Sequence, residues 1–396
     1  MSRRTIAMTI LSEGIGGAEA VVRQIVRHLD KSKYDCLIIT NDEIRDYYQD
    51  TGGTIVSLGS FHRWSGLPML NTLARRIEAR RPDLVSARLR EKAGLLSDCV
   101  RRYRIELLHS HLLADFYVAS QLAPGTVKRV MTIHGGLGLD VPVPRFWNRD
   151  EMLAALGKAD FLTSACRYFL KLLGDNGANI ESHCAVVANG IDNEVVPDVE
   201  PPDTSGHDGI LRMVFLGGDR YAKGGDLLAR ALSIVVRENG LRNVHLTVLR
   251  NVHHSSEMYR CLSTDGLLEF VDLAGYVRNK GHLDYIRRSD LFVLPSRSEG
   301  IANTLMEAIG LGKAVLATDV GGTGEVVSHE VNGYLCQPSP EGIAAGIVYF
   351  LKDPAKLAEF GRKNTELRPR FLWPGIVARY EDLYEKLLTG QHVWNA

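Results

Sequence analysis

LFVLPSRSEGIANTLMEAIGLGKAVLATD, residues 291–319, contains one full cycle of the plan on which this chain is built. Leu291–Leu294 is a short unbroken apolar run, which a strand needs when both its faces are covered. A polar loop with Glu299 follows. Asn303 or Ala302 then starts a helix that runs to Gly310 or Gly312, since glycine suits a helix end. A second apolar run, KAVLATD, closes the unit. Strand, helix and strand in that order argue for parallel pairing and an α/β sheet. Two carboxylates bracket the helix start: Glu299 in the loop and Glu307 within the helix. Only small and apolar residues, with one Asn and one Thr, separate them.

The same alternation extends both ways. Upstream lie TIAMTIL, DCLIIT, GTIVSLG, IELLHSH, VKRVMTIHG, FLTSA and HCAVVANG. Between the first two, Val21, Val22, Ile25, Val26 and Leu29 share one helical face. VPDVEPPDTSGHDG then interrupts the pattern, rich in Pro, Asp and Gly as a linker is. The alternation restarts with LRMVFLG, VHLTVLR, LEFVDLAG, LFVLPS, KAVLATDVGG and GYLCQP, and PGIVARYEDLYEKLLTG reads as an amphipathic helix. The expected organisation is an α/β domain over 1–196, a linker over 197–209, a second α/β domain over 210–372, and a helix with tail over 373–396. Two such domains facing each other leave a cleft at the carboxyl ends of their strands, where open α/β sheets bind ligands.

Bulk properties narrow the partners. A length of 396 residues suits two cores, and 45% apolar with 24% charged residues is ordinary globular composition. Net charge of +0 argues against a generally basic nucleic-acid binder, so no nucleic acid is expected. The six cysteines, Cys36, Cys99, Cys166, Cys184, Cys261 and Cys336, form no C-x-x-C pair and sit beside no His at zinc-ligand spacing. No metal site is expected from them, and scattered thiols suit a reducing cytoplasm. MSRRTIAMTIL imitates a signal peptide, but the acidic, glycine-rich SEGIGGAEA follows directly, so a buried first strand is the better reading. No run of about 18 apolar residues suggests a membrane span. Arginines and one lysine crowd the stretch between Asn71 and Arg104, among them Arg75, Arg76, Arg80, Arg81, Arg88, Arg90, Lys92, Arg101 and Arg102. They form either a solvated helix face or one that attracts an anionic membrane surface.

The loops after strands hold the candidate chemistry. EGIGGAEA invites a dinucleotide-binding reading, but Glu19 occupies the third glycine position and no ribose-binding acid ends the second strand. Gly16 and Gly17 still let backbone approach a ligand at a helix start, or else form a plain strand–helix turn. In GGDRYAKGG, Arg220 and Lys223 are cations entering a helix, suited to an anion or simply solvated. They do not form a P-loop. In SEGIANTLME, the unpaired amides of the helix's first turn suit a diphosphate, around Gly300, Ile301, Ala302, Asn303 and Thr304. Glu299 would then lie near the group that the diphosphate carries, and Glu307 near a ribose. A bland loop acid with a solvent-facing helix acid, or a paired-carboxylate hydrolase, fits the same residues. His111 and His134 each end an apolar run on the carboxyl edge of the first sheet, placed to bond a sugar hydroxyl or a phosphate.

Together these residues resemble glycosyltransferase family 4, retaining enzymes of the GT-B fold that use nucleotide sugars. GGAEAVVRQIVRHL, HSHLLADFYVA, MTIHG, VVANGID and FLWPGIVARYEDLYEKLL are similar to its segments, and SRSEGIANTLMEAIGLGKAVLATDVGGTGEVV carries its paired-glutamate signature. The resemblance implies two Rossmann-like domains facing across a cleft, with the C-terminal helix crossing back to the N-terminal, acceptor-binding one. It places the donor sugar at Glu299, the ribose at Glu307, the diphosphate at the amides of 300–304 with Lys223, and His111 and His134 at the ligand. The family's usual Arg, five residues before the Lys, is Gly218 here, and Arg220 is a shifted substitute. No metal or other cofactor is implied. The implied activity is transfer of a hexose or N-acetylhexosamine, UDP-linked by default, to a saccharide or lipid-linked saccharide in surface polysaccharide synthesis, at or near the inner membrane face. A nucleotide-sugar epimerase on the same plan and a non-catalytic sugar-binding protein are the competing readings.

Overall fold

Apolar runs in the sequence become strands, and their burial follows their place in two sheets. A computed structural model of the chain describes residues 3–12, 14–60, 82–135, 149–180, 182–192, 209–277 and 281–393. The elements are β1 (Arg4–Ile10), α1 (Gly17–His28), β2 (Tyr34–Thr40), β3 (Thr54–Ser57), α2 (Pro82–Tyr103), β4 (Leu107–Ser110), α3 (Leu113–Ser120), β5 (Lys128–Ile133), α4 (Arg149–Leu156), β6 (Phe161–Ser164), α5 (Arg167–Asp175) and β7 (Cys184–Val186). They continue with β8 (Leu211–Phe215), α6 (Gly225–Ser233), β9 (Val244–Leu249), α7 (Glu257–Thr264), β10 (Val271–Gly275), α8 (His282–Arg288), β11 (Leu291–Leu294), α9 (Asn303–Gly310), β12 (Ala314–Thr318), β13 (Tyr334–Cys336), α10 (Pro340–Lys352), α11 (Ala355–Leu367) and α12 (Trp373–Thr389).

The chain divides into two compact units, 1–188 with 373–396, and 189–372. The first has a sheet of order β3-β2-β1-β4-β5-β6-β7, and the second a sheet of order β10-β9-β8-β11-β12-β13. All pairings between these strands are parallel, as in Thr9 opposite Ser110 and Phe292 opposite Val214. Central β11 and β12 are buried at every residue, whereas edge strand β10 is exposed at Asp272, Leu273 and Ala274. That gradient explains why the central strands read as unbroken apolar runs.

In each sheet the chain winds outward from the middle in both directions. The order reverses between β1 and β4 in the first unit, and between β8 and β11 in the second. Loops diverge at such a switch point and leave a crevice outside the carboxyl ends of the two strands. It positions everything that follows.

α12 packs within the first unit. Trp373, Ile376, Val377, Tyr380, Leu383, Tyr384 and Leu387 are buried in one cluster with Ile6, Met8, Val22 and Val130. Their three- and four-residue spacing is a single helical stripe. The Asp30 amide donates to the Glu381 carboxylate (2.7 Å) and Arg379 to the Val186 carbonyl (2.8 Å).

The expected linker falls on residues outside those described, apart from Gly209. The stretch 189–192, expected in the first domain, groups with the second unit. There the Ile191 amide donates to the Phe371 carbonyl (2.6 Å), and Asn189 bonds to the entry of α9. Of the basic stretch, residues 71–81 lie outside the described set. Lys92 is not on a solvated face: it is 6% exposed and donates to the Leu58 (3.0 Å) and Ser60 (3.4 Å) carbonyls. Arg90, Arg102 and Arg104 are exposed. No described helix is long and apolar enough to cross a membrane, and the six cysteines are free thiols.

Candidate nucleotide-sugar site

At the switch point of the second unit, the loop after β8 delivers Lys223 and the loop after β11 delivers Glu299. Lys223 Nζ donates to both Glu299 carboxylate oxygens, at 2.6 and 2.7 Å. Glu299 is 9% exposed and the Lys223 side chain 23%. A carboxylate taken this far from water persists only when paired. The pair therefore presents a fixed cation and a fixed acceptor on one edge of the sheet.

Several contacts hold the two loops in register. Gly224 caps a short 3-10 turn, Tyr221–Lys223, with φ +69°. A Cβ there would stand 1.8 Å from the Pro295 carbonyl oxygen, so only glycine lets the two loops touch. Arg297 donates twice to Asp226 (2.7 and 2.6 Å) and once to the Tyr221 carbonyl (2.8 Å), and its guanidinium lies 4.1 Å from the Tyr221 ring centre. Burial opposes ionisation of Asp226, but the pair with Arg297 holds its carboxyl below the usual range. The Arg297 amide also donates to the Ala222 carbonyl (2.9 Å). Sequence reasoning passed over Arg297. Its only signal was a cation inside the SRSEG segment.

Beyond Glu299, α9 begins with Ala302 as its N-cap. The Leu305 and Met306 amides already donate to the Ala302 carbonyl. Among the described residues nothing accepts from the amides of Ala302 or Thr304, and both residues are half-buried. Ile301 is buried, and its carbonyl takes a hydrogen bond from Asn189 Nδ2 (2.9 Å), which also donates to Asn303 Oδ1 (2.9 Å). The NGID turn thus pins the outer side of the helix entry. The Gly322 amide donates to the carbonyls of Glu299 (3.3 Å) and Gly300 (3.1 Å) and fixes the loop from below. Glu307 lies one turn into the helix, bonded to His282 Nε2 at 2.9 Å, with both side chains about a quarter exposed. Arg220 is exposed at the start of the 3-10 turn. The structure therefore brings together Lys223, Glu299, Glu307 and the first turn of α9. These are groups suited to an anion flanked by hydroxyls.

The switch point of the first unit gathers Gly16, Gly17, His111 and His134. Gly16 is the N-cap of α1, and its amide donates to Glu19 Oε2 (2.8 Å). The residue that broke the dinucleotide pattern is therefore the helix's own cap. His111 Nδ1 and His134 Nε2 are 3.1 Å apart, and the rings stack with centres separated by 5.4 Å. His111 is 1% exposed, and its Nε2 has no partner among the described residues. Burial first, and then the neighbouring histidines, keep its pKa well below the ordinary value. Burial also lowers His134, to about 4. Both rings are neutral at pH 7, and a neutral imidazole with a spare nitrogen can bond a hydroxyl. Asp115 went unnoticed in the sequence. Its buried carboxylate accepts from the Leu11 (2.7 Å) and Leu112 (3.0 Å) amides and so ties the loops after β1 and β4 together. No group of acids, histidines and thiols fit to hold a metal occurs among the described residues.

Comparison with known proteins bears on the fold and on part of the chain. Residues 211–353 match the family model "Glycosyl transferases group 1". An uncharacterized glycosyltransferase of Methanocaldococcus jannaschii is 23% identical over 286 residues, 72% of this chain and 76% of the relative. The N-acetyl-alpha-D-glucosaminyl L-malate synthase of Bacillus anthracis is 23% identical over 313 residues, 75% of this chain and 78% of the relative. Among solved structures, Anabaena HepE in complex with UDP superimposes with a TM-score of 0.75 at 16% identity, over 97% of this chain and 100% of that one. The fold is that of GT-B glycosyltransferases.

Proposed function

We propose that this glycosyltransferase, whose second unit carries the group 1 domain, moves a hexose or N-acetylhexosamine from a UDP-linked donor, with retention at the anomeric carbon. The acceptor is a saccharide or lipid-linked saccharide of a surface polysaccharide. The observation that carries the reading is the Lys223–Glu299 pair beside the open amides of α9. An anion docked on those amides draws on Lys223, while the freed acceptor oxygens of Glu299 meet hydroxyls of the sugar. Glu307 takes the ribose. The UDP bound to HepE and the amino-sugar chemistry in the name of the Bacillus relative support the donor class.

In the step itself, the bond from the anomeric carbon to the diphosphate breaks and the acceptor oxygen bonds on the same face. The acceptor's proton passes to a leaving phosphate oxygen. Lys223 and the α9 amides stabilise the charge that develops on the diphosphate, so in this reading no metal ion is needed. Fixed donors of this kind contribute about 10²–10³-fold in rate. In the first unit, the partnerless Nε2 of His111 is the atom we assign to a sugar hydroxyl. Glu299 is an anchor here and not a nucleophile.

The test is a thermal-shift screen of UDP-, GDP- and ADP-sugars, followed by an assay for nucleoside diphosphate released in the presence of saccharide acceptors. Net release separates transfer from epimerisation, which releases none. Lys223→Ala and Glu299→Gln should each lower turnover at least about 100-fold. Glutamine is the choice at 299 because alanine would remove both acceptors facing Lys223. Near-normal transfer by both variants sinks the assignment.

A further inference from the structure

The loops after β8 and β11 touch through two side-chain pairs. One is Lys223 with Glu299. The other, two residues earlier on each loop, is Tyr221 with Arg297. The Arg297 guanidinium lies 4.1 Å from the Tyr221 ring centre and so covers one face of the ring. The same guanidinium donates to both Asp226 carboxylate oxygens (2.7 and 2.6 Å) and to the Tyr221 carbonyl (2.8 Å). The Arg297 and Asp226 side chains are each 19% exposed, so the ring rests on a fixed and charge-balanced base. Tyr221 itself is 66% exposed, more than any other large apolar side chain among the described residues. With one face covered, that exposure leaves the opposite face open to solvent. A single mobile aromatic residue at a surface needs no explanation. This one is locked onto an ion pair at the ligand edge of a sheet.

The position of the ring says what it can meet. Tyr221 stands two residues before Lys223 in one 3-10 turn, about 4 Å along the axis and about a third of a turn round from it. The ring is therefore beside the Lys223–Glu299 pair and not over it. The sheet fixes which side. α6, which carries Asp226, shares a buried cluster with α7, α10 and Leu291 and Val293 of β11. Leu283 and Ile286 of α8, and Leu305 and Ile309 of α9, are buried outside that cluster, as are Phe292 and Leu294, which alternate with Leu291 and Val293 along β11. The two sets of helices thus cover opposite faces of the sheet. Glu307 meets His282 on the α8–α9 side, and Tyr221 meets Arg297 on the α6 side. A nucleotide sugar with its ribose at Glu307 and its diphosphate at the start of α9 points its sugar end away from α8 and toward the α6 side. The open ring face lies next to the place where that sugar reacts.

We propose that the open face of Tyr221 stacks on a pyranose ring of the saccharide acceptor. Hexopyranoses present a face of C–H bonds, which suits the negative face of an aromatic ring. Arg297 already fixes the tyrosine, so stacking needs little further ordering of the side chain. The proposal rests on the nucleotide-sugar reading above. It puts part of acceptor recognition on the second unit, whereas the family resemblance led one to expect it on the first.

The experiment begins with calorimetric binding of UDP, GDP and ADP to the full chain. The chain loaded with the tightest of the three is then titrated, with NMR detection, with the methyl glycosides of glucose, galactose, mannose and N-acetylglucosamine. At least one glycoside should bind. Tyr221→Ala should weaken that binding about tenfold and leave diphosphate binding within about twofold, because Arg297 keeps its bonds to Asp226 and to the backbone carbonyl. Tyr221→Phe keeps the ring face and should stay within about twofold on both ligands. Undiminished glycoside binding by Tyr221→Ala overturns the proposal. So does an equal loss in Tyr221→Phe, which assigns the contact to the hydroxyl. A matching loss of diphosphate binding in Tyr221→Ala makes the ring a nucleotide contact and overturns it as well. If the unmodified chain binds a diphosphate but none of the four glycosides, this proposal fails alone. If it binds none of the three diphosphates, the nucleotide-sugar reading fails first and this proposal with it.

Discussion

His109 and His111 stand two residues apart at the end of β4, so their side chains share a face. Their ring centres are 4.1 Å apart. His109 is fully committed: Nδ1 bonds the Tyr384 hydroxyl (2.7 Å) and Nε2 the Thr132 hydroxyl (2.6 Å). His111 keeps a free nitrogen. The first is structural, the second is the one the proposed function gives to the ligand, and sequence reasoning singled out only the second. Burial, and then the charge of His134, push His109 down to about 3. An unfolded histidine titrates near 6.5. Above that pH both states are neutral and the ring contributes nothing to pH dependence. As pH falls toward 4, only the unfolded state takes the proton, so stability is lost at about 1.4 kcal/mol per pH unit for this one ring. Asp115 acts with the opposite sign, since burial raises its pKa and protonation relieves it at low pH. The prediction is read as a slope. Chemical denaturation at pH 6, 5 and 4 should show His109→Gln losing stability less steeply than the unmodified chain by about that amount. Parallel slopes would mean that His109 is not held neutral.

At the scale of the element, α12 illustrates how a helix does two jobs. Its apolar stripe fills the core of the first unit, as the amphipathic pattern in the sequence led one to expect. Its tyrosines add something the pattern did not carry. Tyr384 and Tyr380 are fully buried, and their hydroxyls reach His109 and Thr132 at the ends of β4 and β5. The helix therefore braces the strand that leads into His111. Tyr384→Phe keeps the packing but leaves His109 Nδ1 buried without a partner, at a cost of about 1–3 kcal/mol. Thermal unfolding should register a lower midpoint, and an unchanged midpoint would show that the hydrogen bond contributes nothing net. The loops of the second unit are braced differently, by Arg297 and Asp226 and by the touch of Gly224 on Pro295.

At the scale of the whole molecule, each sheet reverses its winding once, and the loops flanking that reversal carry Gly16, Gly17, His111, Lys223 and Glu299. The second unit holds Lys223, Glu299, Glu307 and the first turn of α9, which the proposed function gives to the diphosphate, the sugar and the ribose. A nucleotide that binds only the folded chain should stabilise it by about 2.7 kcal/mol at one hundred times its Kd. Hydrogen exchange should then slow at Gly217–Gly224 and at Glu299–Thr304. Slowing confined to residues 1–188 would place the nucleotide in the other unit and remove the role given to Lys223.

Much of this was legible in the sequence. Strands such as DCLIIT and LFVLP appear where apolar runs lie, because parallel strands covered on both faces need apolar residues throughout. Glu299, Glu307 and the start of α9 fall where the loop, the helix period and the glycine end put them. LEFVDLAG was partly misread as strand: its first three residues form a 3-10 turn before β10. Arg297 and Asn189 were invisible because each acts on a residue far along the chain. The contact between Arg297 and Asp226 spans 71 positions and that between Asn189 and Asn303 spans 114.

What the sequence determined by itself was the alternation of strand and helix, and which loops carry acids, cations and histidines, since these are local properties of neighbouring residues. The tertiary structure alone decided the order of the strands, the pairing of Lys223 with Glu299, and the touch of Gly224 on Pro295. Those depend on which loops two separate strands bring to the same edge, and the distance between such loops in space has no counterpart in their distance along the chain.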